Sequence, residues 1–259
     1  MKKGILTLTV ATLSSLILLG CNSDSNNDTE TTDTTTGDTL ILTSNGMISS
    51  IDRAMPNKII SNLKVTGLQA GDELVGIDYR PKDSKLYAVG FMGNIYTLNP
   101  STGVATFVKK LIAEPTDTTD GNAAFSTILG DANLITVNFN PVADRLRVIT
   151  NTGQNLRINV DTGATITDGA INLAAGSATV VAGAYTNAFA GTSSTKLYSI
   201  DQNSDRVYLQ NANAGTLGSS AVLGADINTN GGGALDIDPV SNIGFAALKL
   251  TTGAYKFFQ

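Results

Sequence analysis

The chain has 259 residues, enough for one large or two small domains, and a formal net charge of −5. It contains no histidine and one cysteine, so the commonest general base and transition-metal ligand are absent and no disulfide can form within the chain. Residues 39–259 hold 15 basic against 17 acidic residues with no basic cluster, which gives no electrostatic case for nucleic acid.

The N-terminus opens Met-Lys-Lys, followed by the uncharged, mostly apolar stretch GILTLTVATLSSLILLG (4–20). A basic start and a short apolar run are signal-peptide anatomy, and the run is short of the about 20 residues that span a bilayer. It ends Leu18-Leu19-Gly20-Cys21, which resembles the bacterial lipobox. That resemblance implies cleavage before Cys21, lipidation of Cys21 and anchoring to a membrane. Asn22, where an aspartate would favour inner-membrane retention, points to the outer membrane. Residues 22–38 carry five acids, no base and no large apolar residue, so with Cys21 they are expected to form a disordered tether (21–38).

From Leu40 short apolar runs alternate with Gly, Asn, Asp and Pro, the punctuation of strands and turns. In chain order come LILTS (40–44), MISSID (47–52), KIISNLKV (58–65), KLYAVG (85–90), NIYTLN (94–99), ATFVKKL (105–111), LRVIT (146–150), LRINV (156–160), KLYSID (196–201) and RVYLQ (206–210). They form a repeat. VGIDYRP (75–81), KLYAV, NIYTLN and a turn ending in Gly103 match TVNFNP (136–141), RLRVI, NLRIN and a turn ending in Gly163. A looser unit starts near residue 182, another at ALDIDP (234–239), and residues 40–66 read as the last three strands of a first unit. Four strands in about 40–50 residues predict a β-propeller blade, so 39–259 is expected to be an all-β propeller of about five blades. A β-sandwich is the alternative, and a β-helix is disfavoured by the long period. An insertion is expected at about 112–133, and ring closure is expected to pair the N-terminal strands with a C-terminal strand.

The phrases GLQAGDELVGIDYRP (67–81), FNPVADRLRVITNTGQNLRINVDTG (139–163) and AYTN (184–187) resemble a bacterial domain-of-unknown-function family of exported, propeller-like proteins over residues 40–259. Its members continue past the equivalent of residue 259 with another turn and strand. The resemblance therefore implies an incomplete last blade or a truncated chain. It carries no activity over.

Two residue sets could carry chemistry. Asp78, Asn138 and Asp236 fall at equivalent places in the inner strands, with Arg80 and Asn140 two residues beyond the first two. Inward oxygens from several blades would suit a hard cation such as Ca²⁺. The plainer reading is hydrogen bonding around the turns. Arg145, Arg147 and Arg157, with Asp144, Gln154 and Asn155, fall on neighbouring strands of one blade and could clamp a carboxylate or sulfate. The plainer reading there is pairing with Asp144 and Asp161. No nucleophile elbow, phosphate loop or zinc spacing is present. The expected function is a monomeric, lipid-anchored cell-envelope scaffold that binds a protein or glycan without catalysis. The alternative is a cation-dependent hydrolase or lyase using the channel carboxylates.

Overall fold

A computed structural model describes residues 10–12, 36–117, 122–227 and 231–259. Cys21, most of the expected signal peptide and most of the expected tether lie outside the described residues. The described residues form five small sheets and no α-helix, arranged as a five-bladed propeller. None of their elements is a helix long and apolar enough to cross a membrane. The β-sandwich alternative is set aside.

The first blade holds β1 (Val10–Thr12), β2 (Thr39–Leu42), β3 (Met47–Asp52) and β4 (Met55–Lys64). The second holds β5 (Leu74–Tyr79), β6 (Leu86–Gly90), β7 (Asn94–Leu98) and β8 (Ala105–Lys110). The short β9 (Ile112–Ala113) follows. It joins the third blade, β10 (Ile135–Asn140), β11 (Arg145–Thr150), β12 (Asn155–Ile158) and β13 (Ala164–Thr167), as a parallel outer strand. The fourth blade is β14 (Val180–Tyr185), β15 (Leu197–Asp201), β16 (Arg206–Gln210) and β17 (Leu217–Val222). The fifth has three strands among the described residues: β18 (Gly233–Ile237), β19 (Gly244–Lys249) and β20 (Tyr255–Phe258). The inner strand of the first blade comes from Val10–Thr12, paired antiparallel with Thr39–Ile41. Closure through a C-terminal strand, as expected from the sequence, is not what the structure shows.

Both faces of each central strand are buried, because each blade packs between two others. Along β6, Leu86 and Ala88 pack towards the first blade with Leu40 and Ile48, while Tyr87 and Val89 pack towards the third with Val137 and Phe139. Successive side chains point to opposite faces, so one continuous apolar run fills two cores. The outer strands β8 and β17 face solvent along most of their length and read as polar accordingly.

The repeated N-x-x-x-G turn stitches the blades together. Asn99 and Asn159 accept turn amides through their side chains, and their carbonyls accept the amides of Gly103 and Gly163. Gly103, Gly163 and Gly215 sit at positive φ of 73, 81 and 71°, where other residues are strained. Each also lies against the backbone leaving the preceding blade. A Cβ at Gly163 would stand 2.2 Å from the Lys110 carbonyl oxygen, and one at Gly215 the same distance from that of Ala170. The outgoing chain then runs parallel to the next blade at Thr66 with Val104, β9 with β13, and Asn172 with Thr216.

Candidate functional site

The inner-strand residues are brought to equivalent places, as their spacing suggested. Asp78 Oδ2 accepts the amide of Phe139 from the next blade at 2.6 Å, and Oδ1 accepts that of Tyr79 at 2.9 Å. Asn138 does the same one blade on, its Oδ1 taking the Tyr185 amide at 2.8 Å. Asp236 accepts the amide of Ile237. All three are buried. Burial, reinforced by the charge of Asp236, pushes the Asp78 carboxyl well above the usual carboxylate range. The Asp78 and Asn138 oxygens act as links between neighbouring inner strands. Among the described residues no group of three or more acidic or sulfur ligands lies close enough to hold a metal.

Arg80 is a clamp between the second and third blades. Its guanidinium donates to both carboxylate oxygens of Asp144, at 2.7 and 2.6 Å, and to both of Asp161, at 2.7 and 2.8 Å. Paired forks of this kind are the strongest charge-assisted hydrogen bonds. Hydrogen bonds from Arg80 hold the carboxyls of Asp144 and Asp161 below their usual range. Asp144 and Asp161 therefore do not pair with Arg145, Arg147 or Arg157, as the plainer sequence reading had it. Asn140 accepts the amides of Val142 and Ala143 and shapes its own turn. Between the fifth and first blades the same seam is closed with the charges reversed. Arg53 donates to Asp238 at 2.9 Å and to Asp38 at 3.0 Å.

The third-blade arginines do form an anion clamp, and the anion is the chain's own. Asp168, buried just past β13, accepts Arg147 Nη1 at 2.6 Å and Arg157 Nε and Nη2 at 3.0 and 2.9 Å. Arg147 also donates to Asn155 and to Asn213 of the fourth blade, both at 2.9 Å, and to the Tyr185 hydroxyl at 3.3 Å. Arg145 stands apart and donates to the carbonyls of Ala143 and Asp144. Gln154 fastens the insertion through the Leu129 amide and the Thr127 carbonyl.

Where no ionic clamp closes a seam, a cleft opens. One with a polar rim and an apolar floor lies between the fourth and fifth blades, with a volume of about 520 Å³. Its floor is Tyr198, Val207, Leu235 and Ile237, and its rim carries Thr186, Asn187, Asn242 and one charged group, Lys196. The long β14–β15 turn is braced over it by paired amides. Asn187 N donates to Asn242 Oδ1, and Asn242 Nδ2 returns a bond to Asn187 Oδ1, both at 2.8 Å. A second cleft, between the third and fourth blades, shares Thr195 and Lys196 and includes Asn140 in its lining.

A family profile described as a domain of unknown function (DUF4394) matches residues 47–259. The chain belongs to this DUF4394 family. No curated protein matches it significantly. Among solved structures, the glutaminyl cyclase of Myxococcus xanthus aligns with a TM-score of 0.52 at 12% identity, covering 87% of this chain and 89% of that one. At that identity the likeness shows the fold alone. The computationally designed Ika4 protein aligns at 12% identity with a TM-score of 0.36, covering 76% and 95% of the two chains. BBS1N in complex with ARL6DN aligns at 14% identity with a TM-score of 0.41, covering 85% of this chain and 60% of that chain.

In this DUF4394 domain, sequence reasoning found Arg147 and Arg157 but missed their partner. Asp168 carries no turn or repeat signature, and only its position 11 residues after Arg157 hints at it. The cleft residues were missed for a different reason. Tyr198, Val207 and Leu235 read as ordinary strand residues, and only blade packing brings them to one floor.

Proposed function

We propose that the protein is a lipid-anchored binding scaffold of the cell envelope, held at the outer membrane through Cys21, and that the cleft between the fourth and fifth blades receives its ligand. The cleft carries the reading. Its volume falls in the range of small-molecule and side-chain pockets, and it combines an apolar floor with a few convergent polar groups. Such a site suits a protein side chain or a glycan ring that offers apolar surface and hydrogen-bond acceptors. The family, the rigid ring and the internally spent arginines are compatible with binding rather than chemistry. The lipobox-like Leu-Leu-Gly-Cys and the acidic spacer after it support the anchor; cleavage before Cys21 removes Val10–Thr12 and leaves β2 as the innermost strand of the first blade.

Two measurements test the reading. Expression with an alkyne-tagged fatty acid should label the wild-type chain and leave Cys21→Ser unlabelled; equal labelling would sink the anchor. Fluorescence titration with anilinonaphthalene sulfonate should show saturable binding to the full chain. Gly244→Phe places a ring beside Leu235 in the cleft and should abolish that binding while leaving thermal unfolding unchanged. Undiminished binding in a folded Gly244→Phe chain would remove the cleft from the proposal.

A further inference from the structure

One end of every blade carries the turn between its first two strands, and these turns share one face of the ring. The clamps from Arg80 to Asp161 and from Arg53 to Asp238 run between neighbouring blades at this face. Three of its turns present apolar side chains to solvent. Val142 in β10–β11 is 47% exposed, Phe189 in β14–β15 is 49%, and Val240 in β18–β19 is 82%, with Ile243 at 39% beside it. Val142 and Val240 follow Pro141 and Pro239 at the place where the second blade has Lys82 after Pro81. Turn tips are ordinarily polar, and neighbouring apolar tips at equivalent places form a surface rather than scattered exceptions.

The chain entering β2 comes in at the same face. β2 begins at Thr39, and Asp38 before it is held by Arg53 through the backbone amide at 2.9 Å and Nε at 3.0 Å. The same Arg53 holds Asp238 of the β18–β19 turn. Asp38 lies 17 positions after Cys21. At 5–6 Å × √n a span of 17 residues corresponds to roughly 20–25 Å. Most acids of this face are occupied: Asp83, Asp144 and Asp161 by Arg80, and Asp38 and Asp238 by Arg53, while Asp52 accepts the Ala54 amide. Lys85 and Lys196 are exposed and have no ion-pair partner among the described residues.

We propose that this face rests on the lipid bilayer, with Val142, Phe189 and Val240 entering the headgroup region. The short reach depends on the lipid anchor at Cys21; the contact itself is additional to it. Apolar tips flanked by free ammonium groups are the surface an interfacial contact requires.

The chain contains no tryptophan, so one introduced residue reports alone. The full chain carrying Phe189→Trp, Val240→Trp or, as a control, Val222→Trp is reconstituted on phosphatidylcholine vesicles with plain or brominated acyl chains. Val222 is 70% exposed on the outer strand β17. The expected result is a blue-shifted emission and at least twofold quenching by brominated lipid for the Phe189→Trp and Val240→Trp variants, and neither for Val222→Trp. Equal quenching at all three positions, or none at the tips, overturns the proposal. Co-sedimentation of the same samples separates the two ideas. A chain that pellets with vesicles but shows unquenched tips keeps the anchor and loses the face. A Cys21→Ser chain whose tips are still quenched at high lipid shows the contact without the anchor.

Discussion

Replacing Asp168 with alanine tests whether the third blade is held by its buried ion cluster. Asp168 and Arg147 are both almost fully buried, with side-chain exposures of 3% each, whereas Arg157 is 28% exposed. Removing the carboxylate leaves two guanidinium groups facing each other. Arg157 can turn to water, but Arg147 cannot, and an uncompensated buried charge costs about 3–5 kcal/mol. Arg147 keeps its acceptors on Asn155, Asn213 and Tyr185, which places the expected loss at the lower end, about 3 kcal/mol. For a domain of this size that corresponds to a fall in Tm of about 6–12 °C. Urea unfolding followed by far-ultraviolet circular dichroism would measure it, alongside Arg147→Met, Arg157→Ala and the double variant Asp168→Leu with Arg147→Met. Arg157→Ala should cost about 1 kcal/mol or less, because Arg157 is partly exposed and Asp168 keeps Arg147. The double variant should be more stable than Asp168→Ala, because it removes the stranded charge with its partner. A loss below about 0.5 kcal/mol for Asp168→Ala, or a double variant no better than the single, would refute the reasoning.

Gly163→Ala should destabilise by about 2–3 kcal/mol, against about 1 kcal/mol for Gly176→Ala. Both glycines have positive φ, but only Gly163 has a backbone oxygen where the Cβ would go, so the difference in urea midpoints isolates the seam. Acid should weaken the fold through its clamped carboxylates. Burial opposes ionisation of Asp238, yet the amides of Ser241 and Val240, the Ser241 hydroxyl and Arg53 outweigh it and bring its pKa to about 2. Asp144 and Asp161 are lowered too. A lowered folded-state pKa gives stability that is complete above the unfolded value and lost as pH falls from about 4. Tm measured between pH 5 and pH 2 (each figure approximate) should therefore drop less in Arg53→Gln and Arg80→Gln than in the wild type. Asp78 has the opposite sign. Its pKa is raised in the fold, first by burial and then by Asp236, so its contribution declines as pH rises above about 4. Asp78→Asn should make that decline shallower, and an unchanged Tm profile towards neutrality would contradict it.

The fold was legible because its signals are local and repeated. The short apolar run of LYAVG, the proline after the inner strand and the glycine closing N-x-x-x-G each recur at a fixed place in the repeat. Seam chemistry was less legible. Arg80 meets partners 64 and 81 residues away, and Arg53 meets Asp238 185 residues away, so no window shows them together. Reversal of charge between the two clamps hides them further, since the repeat unit keeps the contact while exchanging which blade supplies the arginine. The inner strand Val10–Thr12 was hidden for another reason. A three-residue pairing inside the apolar stretch 4–20 has no period of its own to reveal it.

The parallel stitches make the ring a set of overlapping shingles, each blade's outgoing chain lapped over the rim of the next. In the second blade the lap is complete at Ile112–Ala113, and the inserted segment begins beyond it. New residues there lengthen a flap downstream of the fastening and do not pry the seam. By the same logic, lineages of this family should vary in loop length just after each stitch and stay fixed just before it.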